Sequence, residues 1–386
     1  MNKKFNKDKK IKVIHLINTL APSGKEVGII KLLRHMDKSI FEKSLFVLKK
    51  ISYFDEQAIN NLDIICLDKK NGNDFTLPFK LASWFNKYKP DIVHTHSWNT
   101  LVEGILAAKI SGVPIIIHGE HGTFPESTLH RYVQRLFWKR SDLVLSVSEN
   151  LKNKLSRSVG FPPENIHVIL NGVEAEKFYL SAELRKIFRE RFNFSPTDFI
   201  IGTVGRITPV KNHQMLIRAA VEVKNHGETI HFVFIGFDEQ EGELEELANH
   251  LGVKKYVHFI GYQKDVNLML NGMDIFALTS FSEGCSNVIQ EALFAGKPVI
   301  ATNVGGNPEL VKPNLNGYLV ESNDHKELAQ KILMLKRQPE LLQKLGENAL
   351  SFSHENFSLK AMVDQYSELY IKAYQEKVLA SKALLS

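Results

Sequence analysis

Cysteine is nearly missing: Cys66 and Cys285 are the only two in 386 residues, and they stand far apart. Such a pair makes neither a disulfide framework nor a cysteine zinc cluster. It suits a reducing compartment, so a cytoplasmic protein is expected. No apolar run reaches the ~18 residues of a membrane span. Residues 11–20, behind Lys3, Lys4, Lys7, Lys9 and Lys10, have the outline of a signal peptide, but Lys12, His15 and Asn18 interrupt them; a buried first strand behind a basic tail is expected instead. No G-x-G-x-x-G follows a strand pattern, and neither G-x-x-x-x-G-K-[ST] nor G-x-S-x-G occurs. Dinucleotide oxidoreductases, P-loop enzymes and elbow-type hydrolases are therefore disfavoured. D-x-D is absent too, so no catalytic divalent metal and no cofactor is expected.

What is present is an ordinary soluble composition, 44% hydrophobic and 24% charged, which excludes disorder, collagen and coiled coil for the chain as a whole. The length suggests two domains. Charge is uneven. Residues 1–180 hold 27 Lys and Arg against 18 Asp and Glu (+9), and residues 181–386 hold 22 against 25 (−3). This argues against a general nucleic-acid binder and fits an N-terminal half that faces anions, such as a lipid surface or an acidic substrate; a tail that only aids solubility explains it equally well.

Short apolar runs alternate with helical patterns. I-K-V-I-H-L-I, K-S-L-F-V-L, D-I-V-H-T-H, P-I-I-I-H-G, D-L-V-L-S-V-S and N-I-H-V-I-L read as strands. After Asn171-Gly172 the rhythm restarts with F-I-I-G-T-V-G, H-F-V-F-I-G, V-H-F-I-G, D-I-F-A-L-T-S and P-V-I-A-T. Alternation of this kind predicts parallel βαβ units. The expected class is α/β, two doubly wound domains facing each other across a cleft: 1–178, then 179–356, with a C-terminal helix over 357–386 packing back towards the first domain. Ligands in such sheets bind beyond the carboxyl ends of the strands.

The strongest chemical signal is S-F-S-E-G-C-S-N-V-I-Q-E-A-L-F-A-G-K-P-V-I-A-T-N-V-G-G. Glu283 follows a strand in a loop with Gly284, and Glu291 lies inside the next helix. Seven residues separate them, so they cannot meet as a catalytic dyad. The loop–helix junction offers backbone N–H groups and a positive dipole end to an anion. V-G-R-I-T-P-V-K-N-H places Arg206 and Lys211 after a strand, where two cations can stabilise charge developing on a leaving group. In I-H-G-E-H-G, His118, Glu120 and His121 also follow a strand.

In order and spacing these segments, with I-G-Y at 260–262 and N-G-V-E-A-E-K-F before the hinge, resemble the retaining glycosyltransferases of family 4, which have the two-domain GT-B fold. The resemblance covers nearly the whole chain, and H-G-E-H-G is similar to bacterial exopolysaccharide transferases. It implies transfer of a hexosyl or N-acetylhexosaminyl unit from a nucleotide-diphosphate sugar, UDP favoured over GDP, to a glycan or lipid-linked acceptor hydroxyl, in surface polysaccharide or glycolipid synthesis. It also implies roles. Arg206 and Lys211 neutralise the diphosphate. Glu283 contacts the donor sugar at the reacting centre. Gly205, which permits close backbone approach, Gly284 and Ser286 belong to the donor site, the amides of Asn287 and Val288 bind the distal phosphate, and Glu291 accepts from the ribose hydroxyls. Tyr262 lines the base, and His121 bonds the donor sugar near its primary hydroxyl. Gly24 closes over the donor. Ser23 stands where the family has a second glycine, and with His96 and His118 it is assigned to the acceptor side; for His94 and His96, packing is an equal alternative. Two other readings stay open: a nucleotide-sugar epimerase on the same fold, and a non-catalytic nucleotide-sugar-binding partner of a glycan assembly complex. Finally, Arg131, Arg135 and Lys139 share one face of a helix, with Tyr132, Leu136 and Trp138 beside it. The aromatic side chains are expected to pack on the N-terminal sheet, leaving the cations in water, and weak binding at an anionic membrane surface is expected there.

Overall fold

A computed structural model describes residues 9–21, 23–51, 59–69, 74–122 and 127–379; Lys3, Lys4 and Lys7 of the basic tail lie outside these. The chain divides into two units. One comprises the chain up to Gly172 together with the segment from Leu359 onward, and the other is Val173–Ser358.

The first unit is a parallel sheet of β1 (Ile11–Ile17), β2 (Phe41–Val47), β3 (Asp63–Cys66), β4 (Ile92–His96), β5 (Ile115–Glu120), β6 (Leu143–Ser146) and β7 (Ile166–Val168), in the order β3-β2-β1-β4-β5-β6-β7. The inner strands β1, β4 and β5 are buried almost throughout, as parallel strands covered on both faces must be. The order reverses between β1 and β4. Their register sets His15 against His94, and that of β4 with β5 sets Thr95 against His118 and His96 against Gly119. Side chains alternate along a strand, so His15, His94 and His96 fall on one face. That face is covered by the helix Leu359–Tyr374, whose Leu359, Met362, Val363, Tyr366, Tyr370 and Tyr374 recur at helical spacing and pack on Ile11, Val13, Ile92 and Ile115.

The second unit repeats the plan with β8 (Ile200–Val204), β9 (His231–Ile235), β10 (Val257–Gly261), β11 (Ile275–Leu278), β12 (Val299–Thr302) and β13 (Gly317–Val320), in the order β10-β9-β8-β11-β12-β13. Its reversal lies between β8 and β11, the crevice position of a doubly wound sheet. At the foot of β11, Asp274 binds Arg185 (2.6 Å) and the buried Arg189 (3.2 Å) and accepts from the Ile200 amide (2.8 Å), pinning the helix Ala182–Arg191 to the sheet.

Several elements show no clear pattern in sequence. β3 is a four-residue edge strand, β13 is as short, and the helix Leu77–Tyr88 and the helices His325–Arg337 and Pro339–Asn356 complete the outer layers.

Candidate functional site

In the second unit the loops leaving β8 and β11 are bonded to each other. Beyond β8 the chain passes Gly205 and Arg206 to a single turn, Pro209–Lys211. Beyond β11, Thr279 Oγ1 donates to the carbonyls of Lys211 (3.1 Å) and Asn212 (3.0 Å), and the Phe281 amide donates to the Val210 carbonyl (2.8 Å). Thr302, ending β12, donates to the Ser280 carbonyl at 2.7 Å. This frame brings Lys211 Nζ to 2.7 Å from Glu283 Oε1, an oxygen that also accepts from Ser280 Oγ at 2.6 Å. Arg206, 57% exposed along its side chain, donates to Glu239 Oε1 at 2.9 Å.

Glycines decide how closely these loops approach. Gly205 has φ +151° and open space where a Cβ would stand, so its need for glycine is conformational. A Cβ on Gly236, after β9, would lie 1.8 Å from the Gly205 carbonyl oxygen. Gly305, after β12, has φ +53°, and a Cβ there would lie 1.7 Å from the carbonyl oxygen of Glu283.

The helix Asn287–Phe294 starts immediately after this loop. Ser286, which is buried, caps it, its hydroxyl accepting from the Ile289 amide at 3.4 Å. Asn287 and Val288 then stand at the positive end of the helix. Glu291 is half-buried on the second turn, and Gly284 is half-buried in the loop. Tyr262 is 69% exposed beyond β10, an edge strand.

In the first unit, Ser23 begins the helix Gly24–His35 and donates its hydroxyl to the buried Glu26, which Lys25 also contacts at 3.0 Å. His118 is fully buried; Thr95 Oγ1 holds its Nδ1 at 2.8 Å and Glu120 its Nε2 at 2.9 Å, and Gln134 donates to the same Glu120 oxygen at 2.7 Å. Both nitrogens of His118 are therefore occupied by packing partners. His96 is also buried, its Nδ1 3.0 Å from Nε2 of the half-buried His121 and its Nε2 3.0 Å from Nδ1 of His15. Burial, which disfavours the imidazolium, lowers His15 and His121 to about 3 and drives His94 and His96 well down. His15, His94 and His96 place ligating nitrogens within 4.8 Å of one another, the spacing of a metal site, although these rings are already engaged with each other and with Tyr370.

On the helix Thr128–Trp138, Arg131, Arg135 and Lys139 are exposed as expected, with Tyr132 and Leu129 beside them. The aromatic residues divide: Tyr132 is exposed, whereas Trp138 packs inward, as expected of a helix that lies on the sheet and shows its cations to water. Trp138 is 1% exposed and packs edge-on against Phe161, because the sheet-facing side of the helix takes the larger ring.

Comparison with known proteins identifies this architecture. Residues 13–177 match the model described as Glycosyltransferase Family 4, and residues 184–352 match Glycosyl transferases group 1. The UDP-Gal:alpha-D-GlcNAc-diphosphoundecaprenol alpha-1,3-galactosyltransferase of Escherichia coli is 30% identical over 302 residues, 75% of this chain and 78% of its own. The chain belongs to glycosyltransferase family 4. The capsular polysaccharide biosynthesis glycosyltransferase CapM of Staphylococcus aureus is similar to this glycosyltransferase over 93% of the present chain and 96% of its own, at 27% identity. The HepE structure from Anabaena, in complex with UDP and glucose, shares the GT-B fold: TM-score 0.82 at 22% identity, covering 93% of this chain and 99% of that one. In the glycosyltransferase described here, the group 1 segment carries Arg206, Lys211, Glu283 and Glu291. The family 4 segment carries Ser23, Gly24, His96, His118 and His121. Thr279, Ser280, Gly236 and Gly305 complete the surroundings of the first set, and within the other unit His15 and Tyr370 complete those of the second. A run of hydroxyl residues directly after a strand, T-S-F-S, was the available sequence signal for Thr279 and Ser280.

Proposed function

We propose that this glycosyltransferase moves a sugar from a UDP-linked donor to an acceptor hydroxyl with retention of anomeric configuration, in the synthesis of a surface polysaccharide. One observation carries the reading: Lys211, Glu283 and the start of the helix Asn287–Phe294 gather where the strand order reverses between β8 and β11, and Arg206 lies in the same loop after β8 as Lys211. Two cations and a helix N-terminus suit a diphosphate that gains charge as it departs. The bond from the sugar to phosphate oxygen breaks, and the bond to the acceptor oxygen forms on the same face. The acceptor's proton passes to the departing diphosphate. Glu283 orients the sugar hydroxyls, the amides of Asn287 and Val288 take the distal phosphate, Glu291 takes the ribose, and Tyr262 borders the base. To His121 we assign the contact with the sugar's primary hydroxyl. The names of the E. coli relative, which specify a UDP-Gal donor, and of CapM support the donor class and the pathway.

Thermal stabilisation and slow hydrolysis across a panel of UDP- and GDP-sugars test this. A UDP-sugar at 100 times its Kd should add about 2.7 kcal/mol of stability. Hydrolysis should persist in EDTA, since cationic side chains fill the role of a metal. Stabilisation by GDP-sugars alone, or activity lost to EDTA and restored by magnesium or manganese, would refute the donor or the metal-free mechanism respectively.

The exposed Arg131, Arg135 and Lys139, with Leu129 and Tyr132, support weak binding to an anionic lipid surface. Among the described residues no helix is long and apolar enough to cross a membrane. Co-sedimentation with anionic vesicles should fall as added salt shortens the screening length towards ~3 Å at 1 M. Equal binding to neutral vesicles, or none to anionic ones at low salt, would exclude this surface.

A further inference from the structure

The buried histidines of the first unit form a chain of hydrogen bonds that ends on His121 and begins on Tyr370, which is 355 positions from His15 in sequence. Tyr370 OH lies 2.6 Å from His94 Nδ1 and 3.2 Å from His15 Nε2. His15 Nδ1 lies 3.0 Å from His96 Nε2, and His96 Nδ1 lies 3.0 Å from His121 Nε2. We propose that Tyr370 is a positioning residue that sets the tautomer of His121 through His15 and His96, leaving His121 Nδ1 as a hydrogen-bond acceptor.

The direction follows from counting protons. Burial keeps all four imidazoles neutral, so each carries one N–H, and the phenol carries one O–H. Hydroxyl donors make the shorter bonds, near 2.7 Å, and N–H donors the longer ones, near 3.0 Å. The 2.6 Å contact is therefore the phenol donating to His94 Nδ1, and the 3.2 Å contact is His15 Nε2–H donating to the phenol oxygen. With its proton on Nε2, His15 accepts at Nδ1 from His96 Nε2–H. His96 then accepts at Nδ1 from His121 Nε2–H, and Nδ1 of His121 carries a lone pair. No link can be reversed alone, because two protons or none would then face each other across it. This order leaves the Nε2–H of His94 buried without a partner among the described residues; the opposite order would leave a bare nitrogen in the same place.

Gly119 makes the seam possible. A Cβ there would lie 2.9 Å from His94 Nε2, 3.2 Å from His96 Nδ1 and 3.4 Å from His121 Nε2, so only a hydrogen at this position lets the three rings close up. The β4–β5 register, which sets His96 opposite Gly119, delivers that gap. His118, held by Thr95 and Glu120, stands outside the relay.

For turnover, the inference rests on the assignment of His121 to the donor sugar; for the tautomer it does not. The test is nitrogen NMR on the full chain labelled at histidine, with the His121 signals identified by their loss in His121→Asn. In the unaltered protein, His121 should show a protonated Nε2 and a bare Nδ1. Tyr370→Phe keeps the ring in the core but removes the acceptor of His15 Nε2–H, so the whole relay should reverse and His121 should become protonated on Nδ1. In the same variant, hydrolysis of UDP-glucose, or of whichever UDP-sugar is turned over, should fall about tenfold in kcat, the scale of one mismatched hydrogen bond. Stabilisation by UDP alone should be unchanged. A His121 protonated on Nδ1 in the unaltered protein would overturn the proposal, and that measurement stands whether or not the variant folds. So would an unchanged tautomer in Tyr370→Phe, even if turnover fell. Absence of turnover with every nucleotide sugar would refute the donor assignment and leave the tautomer result intact.

Discussion

Lys211→Ala should lower turnover about 10²–10³-fold while leaving the fold in place, the loss that follows removal of one strong electrostatic stabiliser. Lys211 is three-quarters buried along its side chain and is aimed at Glu283 at 2.7 Å, so its charge acts in a partly dry setting. Its backbone carbonyl, which accepts from Thr279, is untouched by the substitution. Glu283 would keep its bond from Ser280 and so retain part of its orientation. Arg206→Ala should fall in the same range, towards its lower end, because Arg206 is more exposed and water screens it better. Steady-state kinetics with a hydrolysed UDP-sugar, beside a thermal melt, decide the matter. Near-normal turnover in both variants would show that the diphosphate is held elsewhere.

Gly305→Ala should damage both stability and activity. An alanine at φ +53° costs about 1–2 kcal/mol for the left-handed backbone alone. Its methyl group would also meet the carbonyl oxygen of Glu283 at 1.7 Å, a backbone collision that no rotamer relieves. The loop must shift and carry the Glu283 carboxylate with it, so turnover should fall at least tenfold, since sub-ångström placement governs such groups. Gly227→Ala is the control. Gly227 has φ +73° with open space around the Cβ position, so it should show the backbone cost, about 1 kcal/mol, and full activity. Equal effects of the two substitutions on turnover, read against their unfolding midpoints, would mean that contact with Glu283 is immaterial.

Much of this protein can be read in one dimension. The alternation of apolar runs with helical patterns, and its restart after Asn171-Gly172, states two doubly wound sheets, because each strand and helix writes its buried face into its own period. The spacing from Glu283 to Glu291 places one carboxylate in a loop and the other on a helix, and β11 and the helix Asn287–Phe294 lie where that spacing requires. Short edge strands such as Asp63–Cys66 carry too few residues to show a period, so β3 left no trace. The sequence by itself therefore determined the class of fold and the strand-end loops that bear Arg206, Lys211 and Glu283. The tertiary structure alone decided which strands are neighbours, and hence that Lys211 reaches Glu283. It decided that Gly236 and Gly305 are where backbones touch, and that Tyr370 closes a chain with His15 and His94. Local patterning fixes which face of an element is buried. What that face meets depends on the strand order and on where the chain returns, and no period within β1 or the helix Leu359–Tyr374 encodes the other.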